Sequence, residues 1–139
     1  LQIDKVFPID FRRKIHYSMS ISSKTLDHVK AANLLFDNKL YRDSVSRAYY
    51  AVFTAAWDYV GDSSTGGWNN RSIRKAFSTR MHADGIERAQ SKQMNNYFGY
   101  LLEGRHTADY SRTVFLPDEA KDFLTTAREF IEFVERRIS

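Results

Sequence analysis

The chain has 139 residues, 42% of them hydrophobic and 27% charged, enough for one globular domain with a sizeable core. It contains no cysteine, which excludes disulfides, thiolate metal sites and cysteine nucleophiles. Lys plus Arg outnumber Asp plus Glu by 21 to 17, and the formal charge of +4 permits contact with nucleic acid without establishing it.

Residues 1–18 mix aromatic, basic and apolar side chains around Pro8 without steady periodicity and read as an N-terminal arm or extension. Residues 19–139 read as one helical domain. A first helix begins near Ser20 to Ser23, where serines can cap free amides, and carries Leu26, Val29, Ala32, Asn33, Phe36 and Leu40 at helical spacing. Asp37-Asn38-Lys39 reads as its break. A second helix spans about Tyr41 to Val60. Its stripe of Val45, Ala48, Tyr49, Val52, Ala56 and Tyr59 is widened by Tyr50, Phe53 and Trp57. That face is too broad for one neighbour, so this is the central helix of a bundle or one that also faces a second subunit. Gly61 is a natural stop, and residues 61–67 form a Gly/Ser-rich loop.

Asn69 or Asn70 can cap a short helix carrying Ile73, Ala76 and Phe77, with Thr79 to Gly85 as a turn. A long helix follows from about Ile86 to Tyr110. Pro117, Asp118 and Glu119 then open a last helix with the clearest pattern of all: Ala120, Phe123, Leu124, Ala127, Phe130, Ile131, Val134 and Ile138. No useful stretch alternates at period two. The predicted fold is all-α, an antiparallel bundle of four longer helices and one short one.

The long helix carries the chain's most conspicuous charge. Met94, Tyr97, Leu101, Arg105 and Ala108 follow at steps of three or four, which puts a guanidinium on an apolar stripe. Burying it unpaired costs several kcal/mol, so it needs a partner, a cleft or another chain. Asp109, four residues on, is the nearest partner. The pair reads either as helix support of about 0.2–0.5 kcal/mol or as an anion-binding arginine held in place by its carboxylate. His106 is a general acid–base candidate by residue type, but it falls off the stripe. Asp43 and Arg47 repeat the acid-to-base spacing and read as helix support. Tyr49 and Tyr50 read as core aromatics or, less directly, as the lining of a polar cleft. Arg71, Arg74, Lys75 and Arg80, with His82 nearby, form the densest basic cluster, either a solvated face or a track for phosphates.

Several classes are excluded. The longest mostly apolar run, Ala48 to Trp57, is too short to span a bilayer, and no secretion signal is read at the N-terminus. The expected location is therefore the cytoplasm. The histidines at 16, 28, 82 and 106 form no His-x3-His pair, so neither a metal nor a cofactor is expected. Glycine-rich phosphate loops and nucleophile elbows are absent from the sequence.

Three stretches together carry a family resemblance. Tyr41 to Phe53, reading YRDSVSRAYYAVF, resembles the "y-x-dA-x-sRaYYA-x-f" helix of HEPN domains (higher eukaryotes and prokaryotes nucleotide-binding). Arg105-His106-Thr107-Ala108-Asp109-Tyr110 is similar to the "R-x-x-A-D-Y" element of its stand-alone prokaryotic branch. Glu119-Ala120 through Ala127, Phe130 and Ile131 resembles that branch's closing helix. The resemblance covers about residues 24–137. It implies a homodimer that pairs two arginine motifs in a cleft and binds RNA or a nucleotide. It further implies a role in toxin–antitoxin systems or antiviral defence, a minimal nucleotidyltransferase as partner, and metal-independent endoribonuclease activity in active members.

Carried onto this chain, the resemblance makes Arg105, His106 and Tyr110 the catalytic candidates, and Asp109, Asn70, Arg71, Arg74, Tyr50 and Arg47 the binding candidates. The family's arginine is followed by a histidine with four to six residues between the two; this chain has Tyr110, Ser111 and Arg112 there. Asn70 stands where relatives tend to carry a histidine at the start of the short helix. Histidine suits proton transfer near neutral pH and tyrosine does not, so the motif argues for phosphate recognition more strongly than for catalysis. The second reading is a non-catalytic interaction module that partners a nucleotidyltransferase, with Tyr110 as a modification target.

Overall fold

The computed structural model describes residues 21–138, so the predicted arm lies outside the described residues. These form five helices and no strand: α1 (Ser23–Asp37), α2 (Tyr41–Val60), α3 (Asn70–Ala83), α4 (Arg88–Tyr110) and α5 (Pro117–Ile138). The all-α bundle expected from periodicity is the fold observed. No helix among the described residues is long and apolar enough to cross a membrane.

The helix ends follow local chemistry. Ser22 caps α1 by accepting from the Thr25 amide at 3.2 Å, and α1 stops at the predicted break, where Lys39 takes a left-handed φ of 63°. Asn69 and Ser72 cap α3 reciprocally, each side chain accepting from the other's amide. Between α2 and α3, Gly61 turns the chain at φ 84°. The base of that loop is pinned by two indoles: Trp57 Nε1 donates to Asp62 and Trp68 Nε1 to the Gly61 carbonyl. Pro117 opens α5, and Glu119 accepts from the Leu116 amide at 2.8 Å.

One boundary differs from the sequence reading. Helix α3 continues through the predicted turn to Ala83, because Met81 extends the Ile73 and Phe77 stripe by another turn and is fully buried. With 14 residues it is still the shortest of the described helices.

Helix α2 packs against each of the other four, as its broad apolar face requires. Ala48, Ala51, Val52, Ala55 and Ala56 are all fully buried on it, and such small side chains let several neighbours approach its backbone at once. Around them sits an aromatic core in which Phe77 stacks on Phe130 at 4.9 Å and Phe98 meets Phe130 edge-on at 5.7 Å. Tyr49 and Phe98 join α2 to α4 with ring centroids 6.0 Å apart. Gly104 lets α4 and α5 approach closely, since a Cβ there would lie 2.5 Å from the Phe123 ring.

The start of α1 is bound to the end of α2 through Asp58. Its carboxylate accepts from the Ser22 amide at 3.1 Å, the Ser22 hydroxyl at 3.2 Å and the Thr25 hydroxyl at 2.8 Å. Burial pushes this carboxyl above the ordinary range, although all three hydrogen bonds pull it down. A carboxyl raised in the folded state holds its proton more tightly there than in the unfolded chain. Its protonation therefore favours folding below the ordinary Asp range, and that contribution is lost as pH rises through the raised value. Asp58→Asn removes this dependence. Relative to the parent, the variant is expected to gain stability as pH climbs from about 4 to about 7; thermal melts across that range check it, and a constant difference between the two proteins would contradict it.

Candidate functional site

The last two turns of α4 carry Arg105, His106, Asp109 and Tyr110. Continuation of the apolar stripe brings Arg105 against α2, where its side chain is only 16% exposed. Its Nε donates to Asp109 Oδ2 at 3.1 Å. The guanidinium also faces three aromatic rings, with Cζ 5.4 Å from the Tyr50 centroid and 5.9 Å from those of Tyr49 and Tyr110. Burial works against the charge, but Tyr50, Asp109 and Tyr110 outweigh it and hold the guanidinium above its ordinary pKa. The result is a fixed cation in a tyrosine cage with one carboxylate at its side.

Tyr49 belongs to the core, at 1% exposure, and its hydroxyl donates to Asn70 Oδ1 at the first turn of α3. A buried phenol needs such an acceptor. Burial pushes the Tyr49 phenol well above its ordinary value, more than the nearby Arg105 and Arg74 lower it, so it is no base near neutral pH. Asn70 also lines a groove of about 480 Å³ between α3 and α4, with Arg71, Arg74, Lys75 and Ser78 on one side and Asn95, Leu102 and His106 on the other. Arg74 is built in: its Nη2 donates to the Asn95 carbonyl at 3.0 Å, and its guanidinium lies where a Cβ on Gly99 would come within 2.7 Å.

The predicted residues thus divide. Arg105, Asp109, Tyr50 and Tyr110 form the cage, whereas Asn70, Arg71, Arg74 and His106 line the groove. Successive helical positions are about 100° apart, so Arg105 and His106 point to different neighbours, and α4 is intact through both. Tyr110, 74% exposed, touches both halves, its ring 5.9 Å from the His106 ring and from the Arg105 guanidinium.

Arg47 joins neither set. It is exposed, forms no ion pair with Asp43, and its charge bears instead on His28, which burial and then Arg47 hold below its ordinary pKa. Of the basic cluster, Arg80 turns away to Asp84 at 3.1 Å and to the Tyr59 carbonyl at 2.9 Å, leaving His106 rather than His82 beside the other three cations. No group of three or more His, Asp or Glu able to hold a metal ion lies among the described residues.

Sequence reasoning missed Arg42. From the first turn of α2 it donates to the carbonyls of Ala108 at 2.7 Å, Ser111 at 2.8 Å and Thr113 at 2.6 Å. The signal was indirect: α4 ends without a glycine cap and without a basic residue in its last turn, so its free carbonyls need a donor from elsewhere. Arg42→Ala is expected to cost about 1–3 kcal/mol and to speed amide exchange at residues 108–113. Arg42→Lys is expected to recover little of this, because an ammonium cannot span three carbonyls as a guanidinium does. Denaturant melts with hydrogen exchange read both.

A helical bundle with one caged arginine beside a basic groove defines the class at the level of fold and site. The chain belongs to the HEPN domain family, whose pattern matches residues 20–137. It is also similar to the protein named "Putative toxin MJ0605" from Methanocaldococcus jannaschii, with 28% identity over 130 residues, 93% of this chain and 92% of that one. No solved structure matches the chain.

Proposed function

We propose that this chain is a toxin-like HEPN protein of the cytoplasm that binds RNA through Arg105, as a homodimer in which two such arginines share a cleft. The observation that carries this reading is the cage itself. A guanidinium on the inner side of α4 is held by Asp109 and three tyrosine rings, yet keeps 16% of its side chain open to solvent. That suits a group held in place for an anion. Family membership and the Methanocaldococcus jannaschii relative's name support the toxin-like role; its setting in this proposal is a toxin–antitoxin or defence system.

Binding comes first in this reading. Arg105 holds a phosphate and can stabilise the extra charge of a pentavalent phosphorus during attack by the neighbouring 2′-hydroxyl. The proton-transfer groups nearest it are Tyr110, which stands where the family usually has its histidine, and His106, which lines the neighbouring groove. Arg105→Ala is expected to weaken RNA binding and, where the parent cleaves RNA, to abolish that cleavage, while changing the protein's stability by no more than about 1 kcal/mol, the scale of one ion pair with cation–π contacts. Equal cleavage by variant and parent would remove Arg105 from the mechanism.

A second reading, a docking module for a nucleotidyltransferase, is favoured by a separate observation. Leu34, Leu40, Val114 and Leu116 are 62%, 51%, 76% and 61% exposed near the α1–α2 turn and the α4–α5 loop, which Arg42 holds together. Leu40→Glu with Leu116→Glu is then expected to block co-purification with a co-expressed nucleotidyltransferase encoded alongside. Undiminished co-purification would set that reading aside.

A further inference from the structure

Charge balance separates the groove from the cage. Arg105 already has Asp109, and Arg80 already has Asp84. The groove brings together Arg71, Arg74, Lys75 and His106, and no carboxylate lines it. Arg71 and Lys75 stand one turn apart, exposed and without a hydrogen-bond or ion-pair partner among the described residues. Like charges placed so closely repel one another unless an anion joins them. Arg74 is fixed against the α4 backbone, so part of the ordering is done before any ligand arrives.

The rest of the lining points to a nucleotide. Asn70 accepts the Tyr49 hydroxyl through Oδ1, which orients its amide and leaves the Nδ2 hydrogens as donors. Leu102 offers an apolar surface for a ribose or a base, and a volume of about 480 Å³ is within the range of small-ligand sites. The Tyr49–Asn70 bond also makes the groove the immediate neighbour of the Arg105 cage.

We propose that the α3–α4 groove is a phosphate subsite that takes one nucleotide of a single-stranded RNA, with Arg71 and Lys75 as its principal charges, beside the Arg105 cage. The proposal rests on the reading that the protein binds RNA, and it divides the work: the groove adds affinity by holding one phosphate, and Arg105 holds and acts on the adjoining one.

The test is anisotropy of a labelled oligouridine titrated with the intact protein across a salt series. The parent's log K is expected to fall linearly with log salt. Arg71→Ala with Lys75→Ala removes two phosphate contacts, so the slope is expected to become shallower by about 1.4, at about 0.7 per contact on a single strand. Both side chains are exposed and unpartnered, so an unchanged circular dichroism spectrum is expected. Arg88→Ala with Lys92→Ala, an equal charge change at exposed positions of α4 outside the groove, is expected to leave the slope within half of that shift. Equal effects of the two double variants would overturn the subsite in favour of diffuse charge. A groove variant that binds like the parent, while Arg105→Ala binds weakly, would overturn the subsite and spare the Arg105 reading. A parent that binds no RNA at low salt would overturn both. Displacement of the oligonucleotide by equimolar uridine monophosphate would assign the groove to a free nucleotide and overturn the strand.

Discussion

A tyrosine with its ring in the core and its hydroxyl at the edge of the core holds the arrangement together. Tyr49 packs on Phe98 inside the bundle, faces the Arg105 guanidinium with its π-system, and donates a hydrogen bond from its hydroxyl to Asn70 Oδ1. An unmade hydrogen bond at such a buried phenol costs about 1–3 kcal/mol, so the first turn of α3 must stay within reach of α2. That requirement, with the burial of Ile73, Phe77 and Met81, holds α3 against α2 and sets the groove beside the cage. Fold and electrostatics meet at this one side chain.

Much of the fold was legible because buried stripes are periodic. Of the stripe read on helix α5, Ala120, Leu124, Ala127, Phe130, Ile131 and Val134 are buried, while Phe123 and Ile138 are half-buried at its edge. The breadth of the α2 stripe was a correct sign of its central place. The extra turn of α3 was hidden because Arg80 and His82 flank Met81, so one buried residue stood between two polar ones. Helical spacing reports which residues share a face but not which neighbour that face meets. Arg105 and His106 could be told apart by angle, whereas the identity of their neighbours, the α2 tyrosines and the α3 cations, needed the three-dimensional packing.

Long-range polar contacts were the least legible. The bonds from Arg42 span up to 71 positions, and nothing in YRDSV marks that arginine rather than Arg47 as the structural one. The pairing of Asp43 with Arg47, expected from spacing, gives way at an exposed surface where such a pair gains little. The pairing of Arg105 with Asp109, at identical spacing, forms where the side chains are half-sheltered and aromatic rings confine the guanidinium. The same sequence pattern therefore has two outcomes, decided by local dielectric and packing.

The clamped loop between α2 and α3 has an engineering consequence. Its ends are tied by the indoles of Trp57 and Trp68, while a side chain added at Gly66 or Gly67 would meet nothing within 4 Å. Foreign sequence spliced between those two glycines would hang from a fastened base, leaving the register of α3 on α2 undisturbed. The domain thus has a natural port for a reporter or an affinity handle.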